Sequence, residues 1–393
     1  MAPNNALAKS KLGERRTTRS STRTSPVGGD PTFDVTQEWL DDQAVLNAPN
    51  RAAAKSTRDR EGAITSDEVE ARGDGVVRGP KAWEPKSRIG VEVKSVLTCM
   101  MFLTRLPVPS FIDHNPRFLV PGMLYFPILG ALIGVWAAAW FDAAIGPLGP
   151  DIAAALSTAT TVWLTGSFHE DGLADTLDGL GGGWGRDQIL RIMKDSRCGT
   201  YAVVGTSLWI FAKITAISRA YAAGGSSVAA VILVSHVVGR TVAVALTAWT
   251  DYVHDEGDDK GLLYNTFAGC LRSGLLSSVR VFLAIVAAAG VTWVLLPMNL
   301  AGAVLGMAAA AFLFSRYYAL EVLGGVIGDF LGAVICCVEL ATLVICGMDF
   351  KGLDSGALWR LAAVALWPLL CVQGAGDLPW VRKDKKNKQK VKC

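Results

Sequence analysis

Residues 118 to 141 form 24 consecutive positions without a charged side chain, and comparable runs recur along the rest of the chain. Ile152–Phe168 adds 17 more, followed by Cys198–Ala212, Ala220–Ser235 and Leu361–Gly376. Val281–Ser315 is long enough for two passes around Pro297, and Leu331–Met348 carries one interior charge, Glu339. A bilayer core of about 30 Å takes roughly 20 apolar residues in a helix. A chain with this many such runs is constrained to be an all-α, multi-pass integral membrane bundle of about seven transmembrane helices. Composition agrees: 51% of residues are apolar and 19% charged, against about a quarter charged in soluble domains. The formal net charge of +3 gives no support for nucleic-acid binding, which needs a basic surface excess.

The charges are segregated. Residues 1–90 are rich in Ser, Thr, Pro, Gly and ions and hold too little apolar surface to offset the entropy of ordering. They are expected to be a disordered polar extension. Lys9, Lys11, Arg15, Arg16, Arg19 and Arg23 precede Asp30 with Glu14 as the single acid, a composition shared by organelle transit peptides and by plain disordered tails. A bacterial inner membrane and a eukaryotic organelle membrane both fit. Residues 91–376 make the membrane-embedded domain. Residues 377–393 form a basic tail placed on the cytoplasmic or matrix side by the positive-inside rule.

Chemistry concentrates in one polar stretch between apolar runs, from Gly166 to Gly183. Read as a helix, it puts Asp171, Asp175 and Asp178 at about 0°, 40° and −20° around the axis. Like charges stacked on one stripe repel unless a cation sits among them. Hard oxygen donors beside a membrane suit Mg²⁺, which bridges a few carboxylates to substrate phosphates. The expected metal set is Glu170, Asp171, Asp175 and Asp178, with Glu170 about 100° off the stripe as an outer ligand. His169 is either a general base or a helix-start residue that orients an acid.

A glycine-rich turn, Gly181–Gly183, leads to a cationic segment: Arg191, Lys194, Asp195, Ser196 and Arg197. Arg offers phosphate a planar fork and Lys a compact charge, so this order reads as a pyrophosphate cradle. A second glycine-rich motif ends in Asp329, an acid at membrane depth that would complete the metal sphere or position a hydroxyl nucleophile. Tyr252 and Glu256, in an acidic loop, are weaker candidates for substrate contact.

These residues together resemble the cobalamin synthase (adenosylcobinamide-GDP ribazoletransferase) family. The matching pieces run in family order from Phe102-Leu-Thr-Arg-Leu-Pro-Val-Pro109 through His169-Glu-Asp-Gly-Leu-Ala-Asp175 and Asp178-Gly179. Ile192-Met-Lys-Asp-Ser-Arg197, Gly199-Thr-Tyr201, Gly239-Arg240 and Gly324-Gly-Val-Ile-Gly-Asp329 follow. The resemblance implies a Mg²⁺-dependent transferase that joins α-ribazole or its 5′-phosphate to adenosylcobinamide-GDP and releases GMP. It implies catalytic roles for His169, Glu170, Asp171, Asp175, Asp178 and Asp329. Arg191, Lys194, Asp195, Ser196, Arg197 and Arg240 are implied at the substrate phosphates. The lipid bilayer is the expected partner, and a homo-oligomer is left open. Two other readings stand beside this one: a CDP-alcohol type membrane phosphotransferase, whose Asp-Gly-x-x-Ala-Arg signature is lacking here, and an ion-coupled transporter using Asp329 and Glu339.

Overall fold

A computed structural model describes residues 85, 87–113, 118–119, 122–224, 227–253 and 275–348. The polar extension up to residue 84, the basic tail, Glu256 and the run Leu361–Gly376 lie outside the described residues. Within them the chain is helical and holds no strand. In chain order the helices are α1 (Arg88–Leu103), α2 (Phe126–Thr165), α3 (Phe168–Gly182), α4 (Arg186–Met193) and α5 (Thr200–Ala223). Then come α6 (Val228–Trp249), α7 (Leu275–Leu295), α8 (Met298–Tyr318) and α9 (Gly328–Cys346).

Five stretches are long and apolar enough to cross a membrane: Met123–Thr165, Thr200–Ala223, Val228–Trp249, Met298–Leu323 and Gly328–Cys346, with Val279–Leu295 somewhat shorter. The outward faces of α5 and α7 carry Leu208, Phe211, Phe282 and Val294, which lipid tolerates and water does not. The protein is therefore an integral membrane protein.

The first stretch is two arms rather than one rod. Gly149 leaves the helical region (φ 77°, ψ 172°) between Pro147 and Pro150, and Ser157 Oγ donates to the Ala137 carbonyl at 2.9 Å. Twenty residues of straight helix would hold those groups about 30 Å apart, so α2 folds back on itself as a hairpin. This is why the sequence shows two uncharged runs here.

Helix α6 is the bundle's axis. It is apolar around most of its circumference, His236 and Arg240 apart, is buried almost throughout, and packs against α2, α7 and α9. An all-round apolar helix is stable only when enclosed.

The second arm of α2 ends in two consecutive left-handed residues, Gly166 (φ 65°) and Ser167 (φ 61°). Such a pair cannot continue a helix, and α3 starts afresh at Phe168. The main chain of Arg105 docks on this break, its N–H donating to the Leu164 carbonyl at 2.7 Å. With 15 residues, α3 spans only about 22 Å. It packs against α9 so closely that a Cβ on Gly172 would lie 2.7 Å from the Asp329 carbonyl oxygen.

Substituting Gly172→Ala should therefore push α3 off α9 at a cost of about 1–3 kcal/mol. Thermal unfolding of the purified protein in detergent reads this as a lower melting temperature. An unchanged melt would show that the two helices do not approach so closely.

Candidate active site

The acids of α3 divide into three environments. Asp171 is exposed and Asp175 half-buried, on the side of the helix where α9 brings Asp329. These carboxylates crowd one another. Burial, followed by Asp171, Asp329 and Asp178, pushes the Asp175 carboxyl up to about 6 from an ordinary 3.8. The structure thus brings together Asp171 and Asp175 of the expected stripe and adds Asp329.

Asp178 is engaged elsewhere. Its two oxygens accept the backbone N–H groups of Gly199 (2.5 Å) and Ala202 (2.8 Å), closing the N-terminus of α5 in the manner of a cap supplied from another helix. Periodicity placed Asp178 on the stripe without showing what lies opposite it.

Glu170 and His169 point the other way, into the bundle. Both are buried and share a small polar cavity with Lys213, His236, Arg240 and Glu339. Burial and then the Arg240 charge hold the His169 imidazole well below its ordinary value. Its Nε2 has no partner among the described residues. Burial pushes the Glu170 carboxyl up, and Lys213 draws it back down. A general base open to substrate is not what His169's surroundings provide.

Arg240 lies inside the bundle. Expected at the substrate phosphates, it is 1% exposed, and its Nη1 lies 2.6 Å from Glu339 Oε1. Glu339 also holds Lys213 Nζ at 2.6 Å and His236 Nδ1 at 2.8 Å. The guanidinium is spent on a helix-to-helix ion pair and reaches no surface.

The cationic segment behaves as a surface element. In α4 the apolar residues Ile189 and Met193 are buried while Arg191 is exposed, and Lys194 and Ser196 beyond it are exposed too. Arg197 is exposed but committed: its Nη2 lies 2.6 Å and its Nε 3.0 Å from the two oxygens of Asp195. That fork holds the Asp195 carboxyl down at about 2. Asp195 is therefore the partner of Arg197 in this structure.

Two cations that the sequence reading did not single out, and the hydroxyl of Tyr252, belong to the frame. Arg186 Nε donates to the Leu323 carbonyl at 2.8 Å, anchoring α4 to the turn Ala319–Leu323 that precedes the Asp329 motif. Exposed Arg105 lies against Gly166, where a Cβ would come within 2.6 Å of its Nε, at the break just before the acidic helix. The Tyr252 hydroxyl accepts the Gly328 N–H at 3.2 Å, and residues 251–253 pair with Val326 through two backbone bonds of 2.8 Å. Tyr252 thus holds the Asp329 loop. Arg105 was visible as the one cation of an otherwise apolar and proline-rich motif.

Among the described residues no three His, Cys, Asp or Glu side chains form a ready-made metal-ligand set. Mg²⁺ does not require one, since it commonly takes one or two carboxylates together with substrate phosphates and water. Crowded hard-oxygen donors at Asp171, Asp175 and Asp329 fit that demand.

A bundle of membrane helices with a carboxylate group on a helix that follows a break, and exposed cations on the adjoining segment, defines an integral membrane protein with a polar, charged cluster as its candidate site. Residues 95–347 match the family model described as Cobalamin-5-phosphate synthase, and the chain belongs to that family. It is 36% identical to the adenosylcobinamide-GDP ribazoletransferase of Leptothrix cholodnii over 252 residues, 64% of this chain and 93% of the relative. It is 34% identical to the protein of that name from Shewanella halifaxensis over 248 residues, 63% of this chain and 92% of the relative. The Ralstonia pickettii protein of the same name is 32% identical over 253 residues, 64% of this chain and 93% of the relative. No solved structure matches the chain.

The divided roles of the acids have measurable consequences. Asp178→Ala should cost about 0.5–2 kcal/mol, as loss of a helix cap does. Because the folded protein holds the Asp175 proton more tightly than the unfolded chain, its contribution is full below pH 3.8 and is lost as pH rises through about 6. Without divalent cations, the melting temperature of Asp175→Asn measured against wild type should gain steadily across that window. A constant difference would show that Asp175 is not in this crowded setting.

Proposed function

We propose that the chain catalyses the last assembly step of cobalamin, joining α-ribazole or its 5′-phosphate to adenosylcobinamide-GDP with release of GMP, and that the reaction depends on Mg²⁺. The observation that carries this reading is family membership across residues 95–347, a stretch that contains both the acidic helix and the cationic segment.

The ribazole 3′-hydroxyl oxygen forms a bond to the cobinamide-linked phosphorus, the bond from that phosphorus to the GMP oxygen breaks, and the hydroxyl proton leaves. Such transfers are mostly a matter of positioning and charge stabilisation, so no covalent nucleophile is needed. Asp171 and Asp175 would hold the ion, which when bound offsets charge on the diphosphate. Asp329, packed beside Gly172 through its own main chain, aligns the attacking hydroxyl. Arg191 and Lys194 take the phosphate oxygens of the nucleotide substrate. Arg197 can join them only by exchanging Asp195 for phosphate, a swap between two acceptors of its fork.

Neither alternative gains an observation. Glu339, which with Asp329 prompted the transporter reading, is held by three partners inside the protein.

Purified protein given adenosylcobinamide-GDP and α-ribazole should release GMP only when Mg²⁺ is present, and chelation should stop it. Asp175→Asn should abolish that release while the protein still melts cooperatively; full turnover at ordinary Mg²⁺ would remove the ion from Asp175. Lys194→Ala should raise KM for adenosylcobinamide-GDP by about tenfold and leave KM for α-ribazole nearly unchanged. The reverse pattern would move the cradle to the other substrate.

A further inference from the structure

We infer that Glu170 is the fourth charged member of the buried Lys213–Arg240–Glu339 network, and that it acts as a positioning residue for the acidic helix rather than as a ligand in the carboxylate group at Asp175.

The first argument is placement. Glu170 precedes Asp171 in sequence, yet about 100° of helix rotation turns it into the bundle, where it is 9% exposed. It faces the same cavity as Thr165, His169, Lys213, Arg240 and Glu339. The second is charge. Lys213 and Arg240 are 2% and 1% exposed, and both are satisfied by the single carboxylate of Glu339. Counting ordinary charges, two cations face one anion, an excess that is costly inside a membrane bundle. Among the described residues Glu170 is the one further carboxylate lining that cavity, and it brings the sum to zero. The third is unspent bonding capacity. Glu170 Oε2, His169 Nε2 and Arg240 Nε are buried without partners among the described residues. All three belong to side chains lining the cavity, a polar setting in which a bridging water is favoured.

The consequence is mechanical. Lys213 comes from α5, Arg240 from α6 and Glu339 from α9, so Glu170 ties the first turn of α3 to all three. That turn follows directly on the Gly166–Ser167 break, where no continuous helix restrains it. Asp171 and Asp175 ride on the same helix, and their place beside Asp329 is set by this tie.

The test is a double-variant cycle on the full-length protein in detergent, with Glu170→Gln, Lys213→Met and the pair. Each single variant unbalances the network and should lower the melting temperature by about 6 °C or more. The pair is neutral again and should melt above the Lys213→Met single variant. Additive losses would overturn the inference, as would Lys213→Met alone melting like wild type. If Lys213→Met yields no folded protein, a folded double variant supports the network and an unfolded one refutes it. As a second readout, Glu170→Gln should lower kcat while the Mg²⁺ concentration for half-maximal turnover stays within about twofold; a tenfold rise would return Glu170 to the ion. The melting arm needs no turnover, so it stands or falls apart from the proposed reaction.

Discussion

One carboxylate, Glu339, with two cations and an imidazole at 2.6–2.8 Å, is the interaction around which the bundle is organised. Three helices contribute to it, and in a low-dielectric interior each partner makes the others tolerable. Removing the carboxylate alone would strand Lys213 and Arg240 away from bulk water. Such a cluster adds little net stability compared with apolar residues of the same shape, so its value lies in fixing one arrangement. Trp209 reinforces it, its ring 4.8 Å from the Lys213 ammonium and its indole N–H on the Cys336 carbonyl at 3.0 Å.

The acidic helix depends on that arrangement because its own start is discontinuous. A helix following directly on Thr165 would carry its residues round with the arm of α2, whereas the left-handed pair lets α3 take a separate direction. Arg105 occupies the break from one side and the buried network holds the first turn from the other. The crowded carboxylates therefore sit on a short helix fixed at its base, with α9 pressed against Gly172. Crowding of this kind is unfavourable in the free protein, as the upward displacement of Asp175 records. It is the sort of local conflict that functional sites keep and the rest of a fold avoids.

Much of this was legible before any coordinates. Apolar runs mark membrane helices because the bilayer imposes a length and forbids charge, and the uncharged runs 118–141 and 152–168 correspond to the two arms of α2. The stripe of Asp171 and Asp175 followed from helical periodicity alone. What periodicity does not carry is the identity of the opposing surface. Asp178 shares the stripe yet meets the backbone of α5, and Glu170 lies off it only to meet charges up to 169 positions away in the chain. Arg240 illustrates the same gap: nothing in its own motif shows the distant carboxylate with which it pairs. The part played by Arg186, and the bond by which Tyr252 holds the Asp329 loop, were illegible for a related reason, since both residues act by bonding to backbone groups, which leave no trace in residue identity.

The pairing of Asp178 with Gly199 and Ala202 has one more effect. It fastens the far end of the cationic stretch back to the helix from which that stretch departs, making residues 179–198 a closed ring instead of an open strap. A ring can tilt or flatten, but it cannot pay out slack. Its inner side is taken up by Ile189 and Met193, packed against Gly183 and Gly179, so the stretch that carries Arg191 and Lys194 moves with α3 rather than apart from it.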